Sequence, residues 1–190
     1  MSKIVIGSPS DKKGITVSPS KIMFNENNVK KMMKGNDIIW IAETIALIPI
    51  MTSNTTPSGV AKADSGTSSA YAYKAFDNNE STRWASSTGI GSWLEYCFTV
   101  AKTVTKFYIK AGYSSNSSGV KSFKIQGSNN ETQWIDLTDE ITLPNTSGGA
   151  EYTGELKNTS YYKYYRFYAT TNSYYDGDWV SITKLQLYGF

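Results

Sequence analysis

From about residue 46 onward, apolar and polar positions alternate with period two in a series of short runs. These are "WLEYCFTV", "VTKFYIKA", "VKSFKIQGS", "QWIDL", "YYKYYRFYAT" and "SITKLQLYGF". Successive side chains of an extended chain point to opposite faces, so each run predicts a half-buried β-strand. Clusters rich in Gly, Asn and Ser, such as "GYSSNSSG" and "LPNTSGGAEYTG", separate the runs and read as turns. No segment holds a sustained 3.6-residue apolar stripe, and no repeat recurs at solenoid periods. Several short strands at this spacing predict an all-β antiparallel sandwich or barrel. In "YYKYYRFYAT" rings fall on both faces. One face is expected in the core, with the other covered by neighbouring strands.

Residues 1–45 read differently. They are rich in Lys and Met, and "KIMF", "NENN", "VKKMM", "KGND" and "IIWI" predict short strands joined by Asn- and Gly-based turns. The Lys-Gly-Asn-Asp stretch before "IIWI" is a hairpin signal. A piece this small buries little surface, so it is expected to pack on the main domain, on a copy of itself or on a larger assembly. Met32 and Met33 suit core filling or an adaptable contact. The reading is therefore a small N-terminal β-hairpin region over 1–45, serving attachment or oligomerisation, followed by a main domain over 46–190.

Composition narrows the function. The first 45 residues hold seven Lys against four acids, whereas residues 46–190 hold equal numbers of basic and acidic side chains. The main domain thus lacks the basic excess that nucleic-acid binding needs. Fourteen tyrosines, with Ser, Thr and Asn, carry the polarity in place of charge. That mixture suits surfaces for neutral polar ligands. Cys97, the only cysteine, alternates with Tyr96 and Phe98 and reads as a small hydrophobe. With no histidine in the chain, Ser-His-Asp, Cys-His and histidine-zinc chemistry are excluded. The start "MSKIVIGSPSDKKG" does not read as a signal peptide, and "IIWIAETIALIPIM" is interrupted by Glu43 and broken by Pro49, so no membrane span is expected.

The stretch "YKAFDNNESTRW" packs acids, amides and hydroxyls between Phe76 and Trp84, two aromatics that read as core. Together with "SWLEYCF", "FKIQGSNNETQWIDL", "YYRFYA" and the closing "ITKLQLYGF", it follows the order and spacing of one family. Residues 47–190 resemble the discoidin-like family, also called the coagulation factor 5/8 C-type domain, which overlaps carbohydrate-binding module family 32. The resemblance implies an eight-stranded antiparallel jelly-roll sandwich, termini close together and a ligand among loops at one end. It also implies binding without catalysis, and Trp84, Trp93 and Trp134 match the family's core positions. Residues 1–45 resemble, more loosely, short β-rich segments of tail and baseplate proteins of phages that infect Gram-positive bacteria.

A sugar site needs an aromatic face for the C–H face of a pyranose and polar groups for its hydroxyls. The candidates are Tyr71 and Tyr73 in the first loop, Lys110, Tyr113 and Asn116 around the loop after "FYIK", and Tyr174, Tyr175, Asp176 and Trp179 in "TNSYYDGDW". Sugar-binding relatives place an Arg near the second group. Here Lys110 is the nearest substitute, and it lacks the bidentate fork. Asp176 and Asp178 form a common turn pattern and do not suggest a catalytic pair.

Metal-bearing relatives hold a structural calcium in the first segment. The corresponding positions here are Lys74, through its carbonyl, and Asp77, Asn79 and Thr82, completed by Thr183 and, where relatives carry Glu, Lys184. A cation in place of an acid disfavours calcium. The expectation is a structural turn with no cofactor, in which the Lys184 ammonium sits among those oxygens and Asp77 balances its charge.

These readings converge on a non-catalytic carbohydrate-binding module, in a phage tail or baseplate accessory protein that recognises host cell-surface or cell-wall glycan. Its partners would be that glycan, other tail proteins and further copies of itself. It would be made in the host cytoplasm and act in the virion; the bacterial cytoplasm or cell surface is the other location considered. The rival readings are a virion decoration module without sugar binding and a protein-binding module.

Overall fold

The computed structural model describes residues 5–6, 15–16, 31–34, 37–41, 44–64, 69–112, 119–158, 160–174 and 179–190. The chain divides into two compact units, Met1–Glu43 and Thr44–Phe190. In the first, β1 (Val5–Ile6) pairs antiparallel with β2 (Ile15–Thr16), and β3 (Lys31–Lys34) with β4 (Asp37–Ile41). Lys34 lies opposite Asp37, which leaves two residues between β3 and β4 where the sequence signals a hairpin. The strand expected over 21–24 lies outside the described residues.

The second unit is a sandwich of two antiparallel sheets. Its strands are β5 (Ile45–Ala46), β6 (Val60–Ala63), β7 (Trp84–Ser86), β8 (Trp93–Lys102), β9 (Val104–Ala111), β10 (Ser122–Ser128), β11 (Ile135–Asp136), β12 (Ile141–Thr142), β13 (Glu151–Glu155), β14 (Tyr162–Ala169) and β15 (Val180–Gly189). One sheet runs β11-β10-β14-β8-β6, with β12 also on β10. The other runs β13-β9-β15-β5, with β7 also on β15. Eight of these strands are three residues or longer, and β5, β11 and β12 are two-residue additions at sheet edges. A 3₁₀ segment, Ser69–Ala75, touches β6 of one sheet and β7 and β15 of the other. Ile45 and Ala46 pair with Gly189 and Tyr188, so residue 45, assigned above to the N-terminal region, belongs to the sandwich.

Period-two patterning becomes packing directly. On β14, Tyr165, Phe167 and Ala169 face the core, while Tyr164, Arg166 and Tyr168 face outward and are half-buried. Phe167 stacks on Phe123 at 5.2 Å and meets Trp84 edge-on at 6.2 Å. Phe76 and Trp84 are both buried, as the sequence suggests. Of the three tryptophans matched to family core positions, only Trp84 is core. Trp93 lies on the outer face opposite Tyr168, and Trp134 stacks on the Arg166 guanidinium at 3.9 Å.

The outer face of the larger sheet carries a polar row across five strands. Lys62, Glu95, Arg166, Gln126 and Asp136 are successive cross-strand neighbours. Arg166 Nε donates to Gln126 Oε1 at 2.7 Å, and Gln126 Nε2 donates to Asp136 Oδ1 at 2.7 Å. Glu95 is 2% exposed, and its Oε1 has no hydrogen-bond partner in the protein; Lys62 Nζ stands 3.8 Å away. Burial, with the Glu131 charge adding, pushes its carboxyl up to about 7 against the opposing pull of Lys62 and Arg166.

Because the folded protein holds this proton more tightly than the unfolded chain, stability falls as pH rises between roughly 4.5 and 7. The full loss is about 3 kcal/mol above that window. In thermal melts at pH 5 and pH 8, Glu95→Gln should remove most of this pH dependence. A wild-type melting temperature unchanged between the two pH values would contradict the burial argument.

Candidate functional site

Strand register decides which loops meet. Ala111 at the end of β9 lies opposite Ile182, and Ser86 at the end of β7 opposite Val180. Ala63, Trp93, Ser122 and Ala169 terminate β6, β8, β10 and β14 at that same end. The ends of β6, β7, β9 and β14 therefore lie at one end of the sandwich, and Ala150 joins them through the Ala111 N–H to Ala150 O bond at 2.9 Å. Thr44 and Phe190 lie at the opposite end, where Gly189 pairs with Ile45 and Phe190 N donates to Thr103 O.

At the loop end Trp179 is 46% exposed, directly before Val180. Tyr174 is half-buried; its hydroxyl donates to Leu143 O at 2.8 Å, and Lys121 Nζ stands 5.6 Å from its ring. Ile90 is exposed and its N–H is fixed by Asn172 Oδ1 at 3.0 Å. Tyr113, Asn116, Tyr175 and Asp176 lie outside the described residues. Tyr71 is 49% exposed with Lys74 Nζ 4.2 Å from its ring centroid. Tyr73 packs against the core, and its N–H donates to Asn54 Oδ1 at 3.1 Å. Among the described residues no hydrogen bond or ring contact joins Tyr71 or Tyr73 to Tyr174.

Beneath this end lies a polar cluster that the sequence reading missed. The Ser86 hydroxyl donates to Asp64 Oδ2 at 2.6 Å, the Ser92 hydroxyl reaches Ser86 Oγ at 3.1 Å, and Thr88 N donates to Ser86 Oγ at 3.2 Å. Asp64 is buried and its Oδ1 has no hydrogen-bond partner in the protein. In the sequence, "ADSGTSS" shows only turn composition.

Lys110 has a different task from the ligand contact expected of it. It alternates with inward-facing Ile109 and Ala111, so it projects from the outer face of the smaller sheet. Its Nζ pairs with Glu80 Oε2 at 2.8 Å and Glu151 Oε1 at 3.0 Å, and these bonds hold its pKa above the ordinary lysine range. Lys184 is its direct cross-strand neighbour. Lys184 Nζ donates to Asn78 Oδ1 at 2.5 Å. Two adjacent lysines, repelling if alone, thus grip one polar segment through Glu80 and Asn78.

That segment otherwise satisfies itself. Asp77 Oδ1 accepts from Asn79 N at 2.9 Å and Oδ2 from the Thr82 hydroxyl at 2.6 Å. Asn79 Oδ1 accepts from Ser81 N at 3.0 Å, and Asn79 O from Thr82 N at 3.1 Å. Asn78 takes a left-handed φ of 56°, a conformation Asn tolerates. The expectation that Lys184 would sit among Lys74, Asp77, Asn79 and Thr82, with Asp77 as counter-charge, needs correction. Asp77 spends both oxygens on local donors, and Lys184 takes Asn78. A calcium ion does not fit this donor set.

The F5/8 type C domain family matches residues 53–185, and this chain belongs to that family. No curated protein sequence matches it. Among solved structures, it resembles the family 32 carbohydrate-binding module of Clostridium perfringens NanJ in complex with galactose. The identity is 19% and the TM-score 0.53, over 69% of this chain and 92% of that one. A second C. perfringens family 32 module, in complex with GalNAc-β-1,3-galactose, aligns at 13% identity and TM-score 0.55, over 68% and 93%. An F5/8 type C domain from Bacteroides fragilis aligns at 17% identity and TM-score 0.56, over 69% and 91%. These likenesses establish a shared sandwich fold.

Chelator should leave the melting temperature unchanged. Lys184→Ala should lower it by about 2–4 °C, the effect of one partly exposed hydrogen bond worth about 1 kcal/mol. A large chelator effect on the unmodified protein, read by calorimetry, would reverse the conclusion on calcium.

Proposed function

We propose that the Thr44–Phe190 unit is a non-catalytic carbohydrate-binding module whose loop end takes a neutral or weakly charged saccharide. The observation that carries this reading is Trp179. It leaves an indole exposed directly before Val180, at the end of an F5/8 type C sandwich where Ser86, Ala111 and Ala169 also end their strands. An exposed ring at a converging loop end suits a pyranose C–H face, and the surrounding amides and hydroxyls suit its hydroxyls. The modules solved with galactose and with GalNAc-β-1,3-galactose point to galactose-type sugars as the first ligands to try.

The Met1–Glu43 unit serves attachment in this reading, in a phage tail or baseplate accessory protein that meets host cell-surface glycan. Its Lys-rich composition and small paired strands support that role. The site of action is then the virion.

Isothermal titration against galactose, N-acetylgalactosamine and purified wall polysaccharide tests the binding. Trp179→Ala should weaken it at least tenfold with little change in melting temperature, whereas Lys110→Ala should leave affinity intact. Binding that survives Trp179→Ala unchanged would remove the loop end as the site.

For the attachment role, light scattering should show self-association or tail-component binding by the full chain and neither by residues 44–190. Identical behaviour of the two would end that claim.

A further inference from the structure

The segment between β10 and β11 folds back over the outer face of the larger sheet. Asn129 anchors its start: Oδ1 accepts from Lys163 N at 2.8 Å, and Nδ2 donates to Tyr161 O at 3.3 Å. Asn130 Oδ1 accepts from Thr132 N and Gln133 N, which shapes the turn. Glu131 sits at a φ of 59°, unusual for a residue with a side chain, and reaches β6, where Lys62 Nζ donates to its Oε2 at 2.7 Å. Trp134 closes the segment by covering the Arg166 guanidinium, whose Cζ is also 4.9 Å from the Tyr168 ring centroid. Nearby, Glu95 lies between its cross-strand neighbours Lys62 and Arg166.

Two carboxylates therefore compete for one ammonium. Lys62 Nζ is 2.7 Å from Glu131 and 3.8 Å from Glu95. Arg166 is not free to move across, because its Nε is bonded to Gln126 and its plane is held by two rings. The charged and titratable groups that face Glu95 are Lys62 on β6, Cys97 on its own strand β8, Arg166 on β14 and Glu131 on the segment itself. Around these, Lys163 faces Cys97 and Glu131, Tyr164 faces Glu131, and Tyr168 and Asp136 face Arg166. Burial pushes the Cys97 thiol and the Tyr164 phenol up, and the bond to Lys62 pulls the Glu131 carboxyl down. Near neutral pH, Glu95 is the member of this set whose charge changes.

We propose that residues 129–134 form a proton-controlled strap. While Glu95 is neutral, Lys62 belongs to Glu131 and the strap is closed; when Glu95 ionises, it draws Lys62 inward, repels Glu131 and loosens the strap with its Trp134 cover. The sign follows from the geometry. A second negative charge beside Lys62 adds a competitor for the one cation that holds Glu131 on β6. The strap is then tight in mildly acid solution and loose in mildly alkaline solution. The device lies on the sheet face and does not depend on the loop-end reading.

The test is a nuclear magnetic resonance titration of the full chain, following Glu side-chain carboxyl carbons and Trp indole N–H signals from pH 5 to 9. Glu95 should titrate with a midpoint near 7, and the Trp134 indole, assigned by Trp134→Phe, should shift with the same midpoint while the Trp179 indole stays flat. Glu95→Gln should abolish the Trp134 shift. Glu131→Gln, an exposed change that leaves the core untouched, should move the Glu95 midpoint down by removing the repulsion and releasing Lys62 to it. A Glu95 midpoint near the ordinary carboxyl value would overturn the proposal. So would a Trp134 shift that persists in Glu95→Gln, or a Glu95 midpoint indifferent to Glu131→Gln.

Discussion

The pairing of β15 is the constraint on which the rest of the second unit hangs. One ten-residue strand pairs with β9 along one edge and with β7 and then β5 along the other. Its register with β9 carries Ile182 to Ala111 and Gly189 to Val104, so it defines both ends of the sandwich. Loops are sent to one end and the chain ends to the other. The same register sets Lys110 beside Lys184, and that juxtaposition of like charges makes Glu80 and Asn78 valuable. A slip of β15 by one residue would turn Leu185 and Leu187 out of the core and Lys184 into it.

Polar groups inside this framework meet two fates. The segment 77–82 is mostly exposed and closes its own hydrogen bonds, so the lysines add a tether without having to neutralise a buried charge. Glu95 is the opposite case. Alternation along β8 places it on an outer face, where a carboxylate would ordinarily be solvated. The large side chains around it exclude water, and no donor comes within hydrogen-bond reach of its Oε1. An unsatisfied buried carboxyl keeps its proton to higher pH, because the neutral form is cheaper to bury. Asp64 shows a milder form of the problem, with one oxygen on Ser86 and the other unmatched.

Much of the sandwich was legible because it rests on local alternation. Each of the six period-two runs coincides with a strand, and Phe76 and Trp84 were readable as core because two large rings flank a segment with no other apolar choice. The edges were less legible. Ile45 joins the sandwich only through its partner at Gly189, a contact across most of the chain that no local window contains. The resemblance matched Trp93 and Trp134 to core positions, yet period two places Trp93 outward, and Trp134 finds its shelter on a guanidinium. Among the candidate site residues, Tyr71 is exposed and Tyr174 is half-buried with its hydroxyl on Leu143 O. Lys110 was misread because its partners, Glu80 and Glu151, are distant in sequence. The Asp64–Ser86–Ser92 cluster was invisible for the same reason.

Thr44 enters the sandwich at the end away from Trp179 and Tyr174. Single pyranose contacts bury little surface and bind weakly, and an isolated module of this kind would release its ligand readily. Presenting several copies on one particle turns the second and later contacts into intramolecular events, governed by local concentration. Repetition of such a module can therefore compensate for weak individual sites. The affinity of the assembly then depends on copy spacing as much as on any residue in the loops.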